Sequence, residues 1–152
     1  MTFSIELLPG EIVDPDTGSQ SQYGEITLGS FQERFIALVG YWSAQRYASH
    51  WRDALMRVVE GEATSCLITS LHDPADSHLL FWWPLYRIGD VVQVQNSILL
   101  FEQLSAPFDP DNPFRFVPAR TTVSEEGQPI SEWEVPVSDI KTFLDRGAPA
   151  GA

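Results

Sequence analysis

The chain has 152 residues, and its hydrophobic fraction of 43% is typical of a globular domain rather than of a disordered segment. Nine basic and 21 acidic residues give a net charge of −12, which disfavours nucleic acid and anionic membranes as direct partners. One cysteine excludes an internal disulfide, and the N-terminal residues lack the basic and apolar regions of a signal peptide, so the cytoplasm is the expected compartment.

The first forty residues are predicted to form strands joined by one long loop. Residues 3–8 alternate between apolar and polar side chains well enough to predict a first strand. Residues 9–22 are rich in Pro, Gly, Asp, Ser and Gln, which is typical of a loop, and residues 23–28 predict a second strand. The pattern of residues 31–38 fits either a third strand or a helix.

Residues 44–60 are predicted to form the main amphipathic helix of the chain. Apolar side chains recur there at steps of three and four, at Tyr47, Trp51, Leu55 and Val58. Ser43 precedes this pattern as a side chain able to cap the helix, and Gly61 follows it as a residue suited to end the helix. Both ends of the helix are therefore predicted from single residues.

Five further strands are predicted after this helix. They cover residues 64–71, 79–88, 91–101, 115–123 and 129–135. A short helix is predicted from Ser138 through Asp145, with Gly147 at its end. The pattern predicts an α+β fold, an antiparallel meander sheet of about five to six strands with one main amphipathic helix packed on it and a short C-terminal helix. Residues 1–147 are expected to form a single globular domain, followed by a disordered tail at residues 148–152.

The strongest local signal is the run FWWPLYRIGDVVQVQNSILLF, which occupies residues 81–101. Gly89-Asp90 predicts a two-residue hairpin turn, which places Phe81 opposite Ile98. This register assigns to the core face the side chains of Leu79, Phe81, Trp83, Leu85, Val92, Val94, Ile98 and Leu100. It assigns to a mixed, outward face Leu80, Trp82, Tyr86, Gln93, Gln95, Ser97 and Leu99.

No catalytic motif, phosphate-binding loop or cysteine pair occurs in the sequence. His72 and His78 belong to a segment that is more typical of a solvated turn than of a metal site, and Cys66 lies in a predicted buried strand. Glu132 and Glu134 share one face of a predicted strand, and a carboxylate pair of this kind is suited to acid–base chemistry. An enzyme that uses this pair is an alternative, but we expect no catalytic, metal-binding or cofactor-binding residues.

Acidic turns and two outward aromatic residues are the candidates for binding a partner. The aromatic candidates are Trp82 and Tyr86, because aromatic side chains dominate many protein interfaces. The acidic candidates are Asp73, Asp76, Asp109, Asp111, Glu125 and Glu126. An acidic protein without chemistry of its own is expected to bind a basic partner.

Dispersed residues between positions 35 and 145 carry a family resemblance. They are Tyr41-Trp42, Gln45, Trp51, Ala54-Leu55, Gly61, the run SCLITS at 65–70, the run WWPLYR at 82–87, Gly89-Asp90, Gln95-Asn96, Pro107-Phe108, the run SEEG at 124–127 and the run ISEW at 130–133. With these residues the chain resembles the immunity proteins of bacterial contact-dependent growth inhibition systems.

The resemblance implies a cytoplasmic monomer that binds the C-terminal toxin domain of its own system in a 1:1 complex and inhibits it without catalysis. In such systems the toxin domain is commonly a nuclease with a basic substrate groove, and the net charge of −12 fits that partner. No cofactor is expected, and the net charge of −12 disfavours direct contact with nucleic acid or with a membrane. An acidic secretion chaperone or adaptor that binds an extended partner segment is the alternative.

Overall fold

The structure is a computed structural model that describes residues 2–16 and 18–150, with side chains described as far as residue 146. Its elements follow each other in the order β1 (Phe3–Val13), β2 (Gln20–Leu28), β3 (Phe31–Leu38), α1 (Ala44–Val59), β4 (Thr64–Ser70), β5 (Leu79–Ile88), β6 (Val91–Gln95), β7 (Ser97–Leu100), β8 (Glu132–Pro136) and α2 (Val137–Ala150). Two short 3-10 helices, Phe101–Gln103 and Pro113–Phe116, lie between β7 and β8. In the described part of the chain, neither α-helix has the length and apolar character needed to cross a membrane.

The strands form two antiparallel sheets. The N-terminal sheet has the order β1-β2-β3, and the second sheet has the order β4-β5-β6-β8, with β7 also paired to β5. Helix α1 packs mainly against β4, while α2 contacts both α1 and β1. The predicted α+β class, with one main helix on antiparallel strands and a further C-terminal helix, is confirmed, and the division into two sheets is the main difference from the predicted single meander.

The N-terminal sheet is larger than predicted, because most of the predicted loop at 9–22 belongs to strands. The pairing of β1 with β2 continues after a register shift between Leu7 and Glu11. Gly10 lies within this shift with φ of +97°, a conformation that glycine adopts without strain. The chain therefore forms an irregularity of the strand at this point, where the prediction ended the strand. The alternative of a third strand at 31–38 is the one observed.

Helix α1 has the predicted caps at both ends. The Ser43 hydroxyl accepts a hydrogen bond from the Arg46 backbone N–H at 3.1 Å. At the other end Gly61 has φ of +109°, and the Glu62 N–H donates to the Arg57 carbonyl at 2.9 Å. This bond and the left-handed glycine form a Schellman motif, which satisfies carbonyls of the last helical turn. The prediction of a helix between Ser43 and Gly61 is confirmed.

The predicted hairpin register is confirmed on both sides of the turn. Ile88 pairs with Val91, and Phe81 pairs with Ile98. The predicted strand 91–101 is divided at Asn96 into β6 and β7, which pair with different parts of β5.

The predicted strand at 115–123 is wrong. Residues Pro113–Phe116 form a 3-10 helix, a single bridge joins Val123 to Pro129, and β8 pairs directly with β6. Four prolines lie between positions 107 and 118, and each removes a backbone donor that a sheet ladder requires. The segment between β7 and β8 therefore crosses the sheet as an irregular chain.

Helix α2 extends to Ala150, five residues beyond its predicted end at Asp145. A glycine inside a helix costs only about 1 kcal/mol relative to alanine, so Gly147 alone does not stop it. Residues 151–152 lie outside the described residues. The disordered tail at 148–152 and the domain boundary at 147 stay predictions, although residues 148–150 are helical.

Gly24 of β2 leaves room for the ring of Phe35, its cross-strand partner on β3. A Cβ atom at this position would collide with the Phe35 ring, which itself packs edge-on against Trp51 at 5.9 Å between centroids. We expect Gly24→Ala to lower the free energy of unfolding by about 1–3 kcal/mol, because the ring must leave its place in the core. Chemical denaturation measures this change.

Gly40→Ala is the matched control for Gly24→Ala. A Cβ atom at Gly40 meets nothing within 4 Å, and its φ is not in the left-handed region. The control is expected to be neutral or to stabilise by up to about 1 kcal/mol. Equal stabilities of the two variants would show that the close approach at Gly24 does not constrain the fold.

Candidate functional site

Side chains of α1 close the free edge of β4, which is the outer strand of the second sheet. The Ile68 N–H donates to His50 Nε2 at 2.8 Å, and the Ile68 carbonyl accepts from Trp51 Nε1 at 2.7 Å. Directly after the strand, the Leu71 N–H donates to the Tyr47 hydroxyl at 2.9 Å. These bonds occupy backbone groups that an exposed edge would offer to another strand. A partner therefore does not bind by extending the sheet at β4.

Three buried titratable groups, His50, Tyr47 and Cys66, are held in their neutral forms. Burial lowers the pKa of His50 from 6.5 to about 3, and the nearby positive charge of Arg46 lowers it as well. Burial raises the pKa of the Tyr47 phenol and of the Cys66 thiol far above their usual values. A thiol held neutral in this way is a poor nucleophile. These groups contribute to packing and to hydrogen bonding inside the fold.

Both carboxylates of the β8 pair, Glu132 and Glu134, accept hydrogen bonds from other side chains of the protein. Arg120 donates two hydrogen bonds to Glu132, at 2.6 and 2.8 Å, and Gln95 Nε2 donates a third at 2.8 Å. The bonds from Arg120 and Gln95 lower the pKa of Glu132, with Arg120 as the largest cause. Glu134 accepts a hydrogen bond from Gln93 at 2.9 Å. Bidentate pairing of this kind suits an anchor for the chain before β8 better than a proton donor.

The histidines of the turn after β4 do not form a metal centre. His72 and His78 are both exposed. Within residues 2–16 and 18–146, no group of three or more His, Cys, Asp or Glu side chains has an arrangement that could hold a metal ion.

The outward assignment of Trp82 and Tyr86 is wrong. They are only 1% and 5% exposed. Trp82 Nε1 donates to the Ser97 hydroxyl at 2.9 Å, and the Tyr86 hydroxyl donates to the Pro118 carbonyl at 3.0 Å. Pro118 belongs to the irregular chain between β7 and β8, so Tyr86 packs beneath this chain, while Trp82 is bonded to β7.

Phe81 and Ile98, which were predicted for the core, are exposed instead. Their exposed fractions are 46% and 51%, and they face each other across the β5–β7 ladder. The partly exposed side chains of Leu79 and Leu100 form the next pair on the same face of this ladder. Together these four side chains form one apolar surface, which we name the Phe81–Ile98 patch.

The patch is exposed because the N-terminal sheet covers only part of the second sheet. Phe31 of β3 stacks on Trp133 at 4.4 Å between centroids, and Trp133 packs against Trp83 at 5.6 Å. The cover extends to Asn96, whose Nδ2 donates to Glu33 of β3 at 3.4 Å. On this face of the hairpin the next pair is Phe81 with Ile98, and the N-terminal sheet does not reach it.

One signal in the sequence indicated this open region. Both faces of the hairpin are rich in apolar residues, so alternation alone does not identify the buried face. Asn96, however, falls on the predicted core face, and a polar amide inside an apolar core is costly unless it is hydrogen-bonded. Its position therefore marked the margin of the core.

A shallow recess adjoins the patch. Leu38, at the end of β3, donates its N–H to the Ser70 hydroxyl at 3.3 Å, and Ser70 pairs with Phe81. The recess has a volume of about 230 Å³ and is lined by Ser19, Leu38, Gly40, Tyr41, His72 and Asp73. We name it the Tyr41 recess, because Tyr41 is 44% exposed there. Leu38 thus connects the recess to the patch.

Two of the predicted acids lie at the Tyr41 recess. Asp73 lines it and uses one carboxylate oxygen to accept the Ala75 N–H at 2.9 Å. Asp76 is exposed in the same turn, where its N–H donates to the Asp73 carbonyl. This turn therefore presents two carboxylates near the apolar patch.

Two other predicted acids lie near a second recess, which Trp42 lines. This recess has a volume of about 250 Å³ and is lined by residues that include Trp42, His50, Asp53 and Asp111. Asp111 forms an ion pair with Arg46 at 2.6 Å, so much of its charge is compensated. Asp109 accepts the Asp111 N–H at 2.9 Å.

The remaining two acids are separated from the other four. Glu125 and Glu126 are exposed in the turn that precedes β8. β8 is at the opposite edge of the second sheet from β4, and three strand spacings correspond to about 14 Å. The structure therefore does not combine all six acids into one surface.

A third and larger recess carries mixed charge. It has a volume of about 620 Å³ and lies between β1, α1 and α2. Glu6 and Arg52 both line it, together with apolar side chains such as Leu7 and Phe143. Because the two charges are opposite, this recess offers less selectivity for a basic partner than the acidic turns do.

These features define a small acidic α+β protein whose surface combines an apolar patch with carboxylates, as in a protein-binding domain. A family model described as the CdiI N-terminal domain matches residues 37–143. A relative named immunity protein CdiI, from Enterobacter cloacae subsp. cloacae, is 28% identical over 138 residues, which are 91% of this chain and 87% of the relative.

The structural comparison agrees with the sequence comparison. A solved structure described as a CdiA-CT/CdiI toxin and immunity complex from Enterobacter cloacae matches with a TM-score of 0.86 and 25% identity. The match covers 97% of this chain and 99% of the matched chain. The chain therefore belongs to the CdiI family of immunity proteins of contact-dependent growth inhibition systems, and the predicted resemblance is confirmed.

Proposed function

We propose that this protein binds and neutralises the C-terminal toxin domain of its own contact-dependent growth inhibition system. The observation that carries the proposal is the match of nearly the whole chain to a protein from a toxin and immunity complex. Inhibition occurs in a 1:1 complex with a monomer of this protein, and it requires no catalysis and no cofactor. The complex forms in the cytoplasm, without contact with nucleic acid or a membrane.

The toxin domain in this proposal is a basic nuclease. The net charge of −12 supports a partner of positive charge, since a field of this size steers oppositely charged proteins into contact. Steered association reaches about 10⁸ M⁻¹s⁻¹ at low salt, and rapid capture limits the damage that an incoming nuclease causes. Membership in the immunity family favours this function over that of an acidic secretion chaperone.

The experiment is to purify this protein with the toxin domain encoded beside it, inactivated by mutation. We expect one complex of 1:1 stoichiometry in size exclusion with light scattering. The association rate should fall by about tenfold or more between about 50 and 500 mM NaCl, because salt screens the attraction. Failure of the two proteins to co-elute at low salt would contradict the proposal. A stable complex whose association rate is independent of salt would contradict only the basic character of the toxin.

A further inference from the structure

We infer that the toxin domain docks on the Phe81–Ile98 patch and the adjoining Tyr41 recess, with basic side chains placed over Asp73, Asp76 and Glu33. This inference rests on the proposed function and assigns the surface that performs it. The occupant is a cationic protein surface with an apolar centre.

The patch has the properties of an interface centre. An aromatic and an aliphatic side chain face each other across one ladder, and each is about half exposed. By contrast, Trp83, two residues along the same strand, is 2% exposed because β3 and Trp133 cover it. Protein interfaces concentrate their binding free energy in apolar and aromatic centres surrounded by polar residues. Phe81 and Ile98 also lie on paired strands, β5 and β7, rather than on a loop.

The rim of the patch is acidic. Asp73 and Asp76 lie in the turn at the Tyr41 recess, and Glu33 lies at the other side, where Asn96 donates to it. None of these three carboxylates belongs to an ion pair found among the described residues. Their negative charge is therefore available to a partner.

The segments that build this surface contain no lysine or arginine. No Lys or Arg occurs between Arg57 and Arg87, between Arg87 and Arg115, or between Arg34 and Arg46. These stretches contain β4, β5 up to Tyr86, β7 and the end of β3. They also contain the turns that follow β3 and β4 and that border the recess. Charge complementarity therefore selects a basic partner for this surface, and like charge disfavours a second acidic copy of this chain.

The chain offers matched controls at the opposite edge of the sheet. Val123 is 52% exposed, close to the value of Ile98, but it lies in the irregular chain beside Glu125 and Glu126. Ile98→Ser and Val123→Ser thus remove aliphatic side chains of similar exposure. The double variants Asp73→Asn with Asp76→Asn, and Glu125→Gln with Glu126→Gln, each remove two exposed charges.

Binding of the inactivated toxin domain is measured for each variant by surface plasmon resonance. We expect Phe81→Ser and Ile98→Ser to weaken binding by about 10- to 100-fold, mainly through faster dissociation, and Val123→Ser to change it by less than about twofold. The Asp73 and Asp76 double variant should lower the association rate by about threefold or more at low salt, and the Glu125 and Glu126 double variant should lower it less. Circular dichroism and the Tm identify any variant whose fold has changed.

The outcomes separate this inference from the proposed function. If the wild-type protein binds the toxin domain and the patch variants bind as tightly, the inference is wrong and the function stands. If the wild-type protein does not bind, the proposed function is wrong. If light scattering shows a dimer that Phe81→Ser converts to a monomer without loss of toxin binding, the patch is an interface between copies of this chain and the inference is overturned.

Discussion

Tyr47→Phe is expected to lower the free energy of unfolding by about 2–4 kcal/mol, since it leaves two buried backbone groups without partners. The Tyr47 hydroxyl accepts the Leu71 N–H at 2.9 Å and donates to the Leu38 carbonyl at 2.6 Å. Tyr47 is fully buried, so water does not replace the lost bonds. Urea denaturation at neutral pH measures the change.

The position of the hydroxyl gives this variant a local effect as well. Leu38 ends β3 in the N-terminal sheet, and Leu71 follows β4 in the second sheet, so one oxygen atom joins the two sheets. We expect the Leu71 amide to exchange its hydrogen faster in Tyr47→Phe, because its acceptor is removed. Leu38 also lines the Tyr41 recess, and this link therefore supports the proposed docking surface.

Tyr41→Phe is the control for this variant. The chemical change is the same, but Tyr41 is exposed and its hydroxyl is accessible to water. We expect the control to change the free energy of unfolding by less than about 0.5 kcal/mol. A loss of similar size in both variants would show that the bonds across the two sheets do not stabilise the protein.

The features that the sequence predicted well depend on neighbouring residues. Ser43 and Gly61 identified both ends of α1, because each acts on the backbone within four residues of itself. Gly89-Asp90 identified the register of the hairpin, because a two-residue turn fixes which residues pair. In both cases the information that determines the structure lies within the element.

The features that the sequence predicted wrongly depend on distant segments. Alternation divided the hairpin into two faces, but other parts of the chain decide which parts of each face are covered. The segment that contains Pro118 covers Tyr86, and β3 covers Trp83 but not Phe81. Pro118 lies 32 residues beyond Tyr86 in sequence, and β3 ends before α1 and β4, which both precede the hairpin. No periodicity within the hairpin therefore reports either cover.

The candidate site shows the same division. The composition predicted that acids in turns face solvent, and Asp76, Glu125 and Glu126 do so. Which acids share a surface depends on tertiary contacts such as the ion pair between Arg46 and Asp111, which are 65 residues apart. The toxin-binding role of these acids stays a prediction. The apolar half of the proposed surface was missed, because all four side chains of the Phe81–Ile98 patch were assigned to the core.

His50 is expected to make the protein less stable in acid. Its Nε2 accepts the Ile68 N–H at 2.8 Å, so it must lack a proton in the native state, and its pKa there is lowered to about 3 by burial and by Arg46. In the unfolded chain the pKa is near its ordinary value of 6.5. Between these values the unfolded state binds the additional proton, so stability is present above pH 6.5 and is lost as the pH falls.

The loss assigned to His50 should amount to about 3 kcal/mol between about pH 6.5 and pH 4, or about 1.4 kcal/mol for each pH unit in the lower part of this range. Arg46, Asp53 and Asp111 line the same recess as His50, so other charged groups surround the imidazole. The absolute stability therefore includes their contributions. The difference between the wild type and a variant without the imidazole isolates the histidine.

His50→Gln is that variant, because the glutamine side-chain oxygen can accept the Ile68 N–H in place of Nε2 without titrating. Urea denaturation at several pH values should show a wild-type stability that falls more steeply in acid than that of His50→Gln. His72→Gln removes an exposed histidine and should leave the wild-type dependence unchanged. Parallel curves for the wild type and His50→Gln would mean that His50 titrates normally in the folded protein. In that case the hydrogen bond from α1 to the edge of β4 would not hold the imidazole neutral.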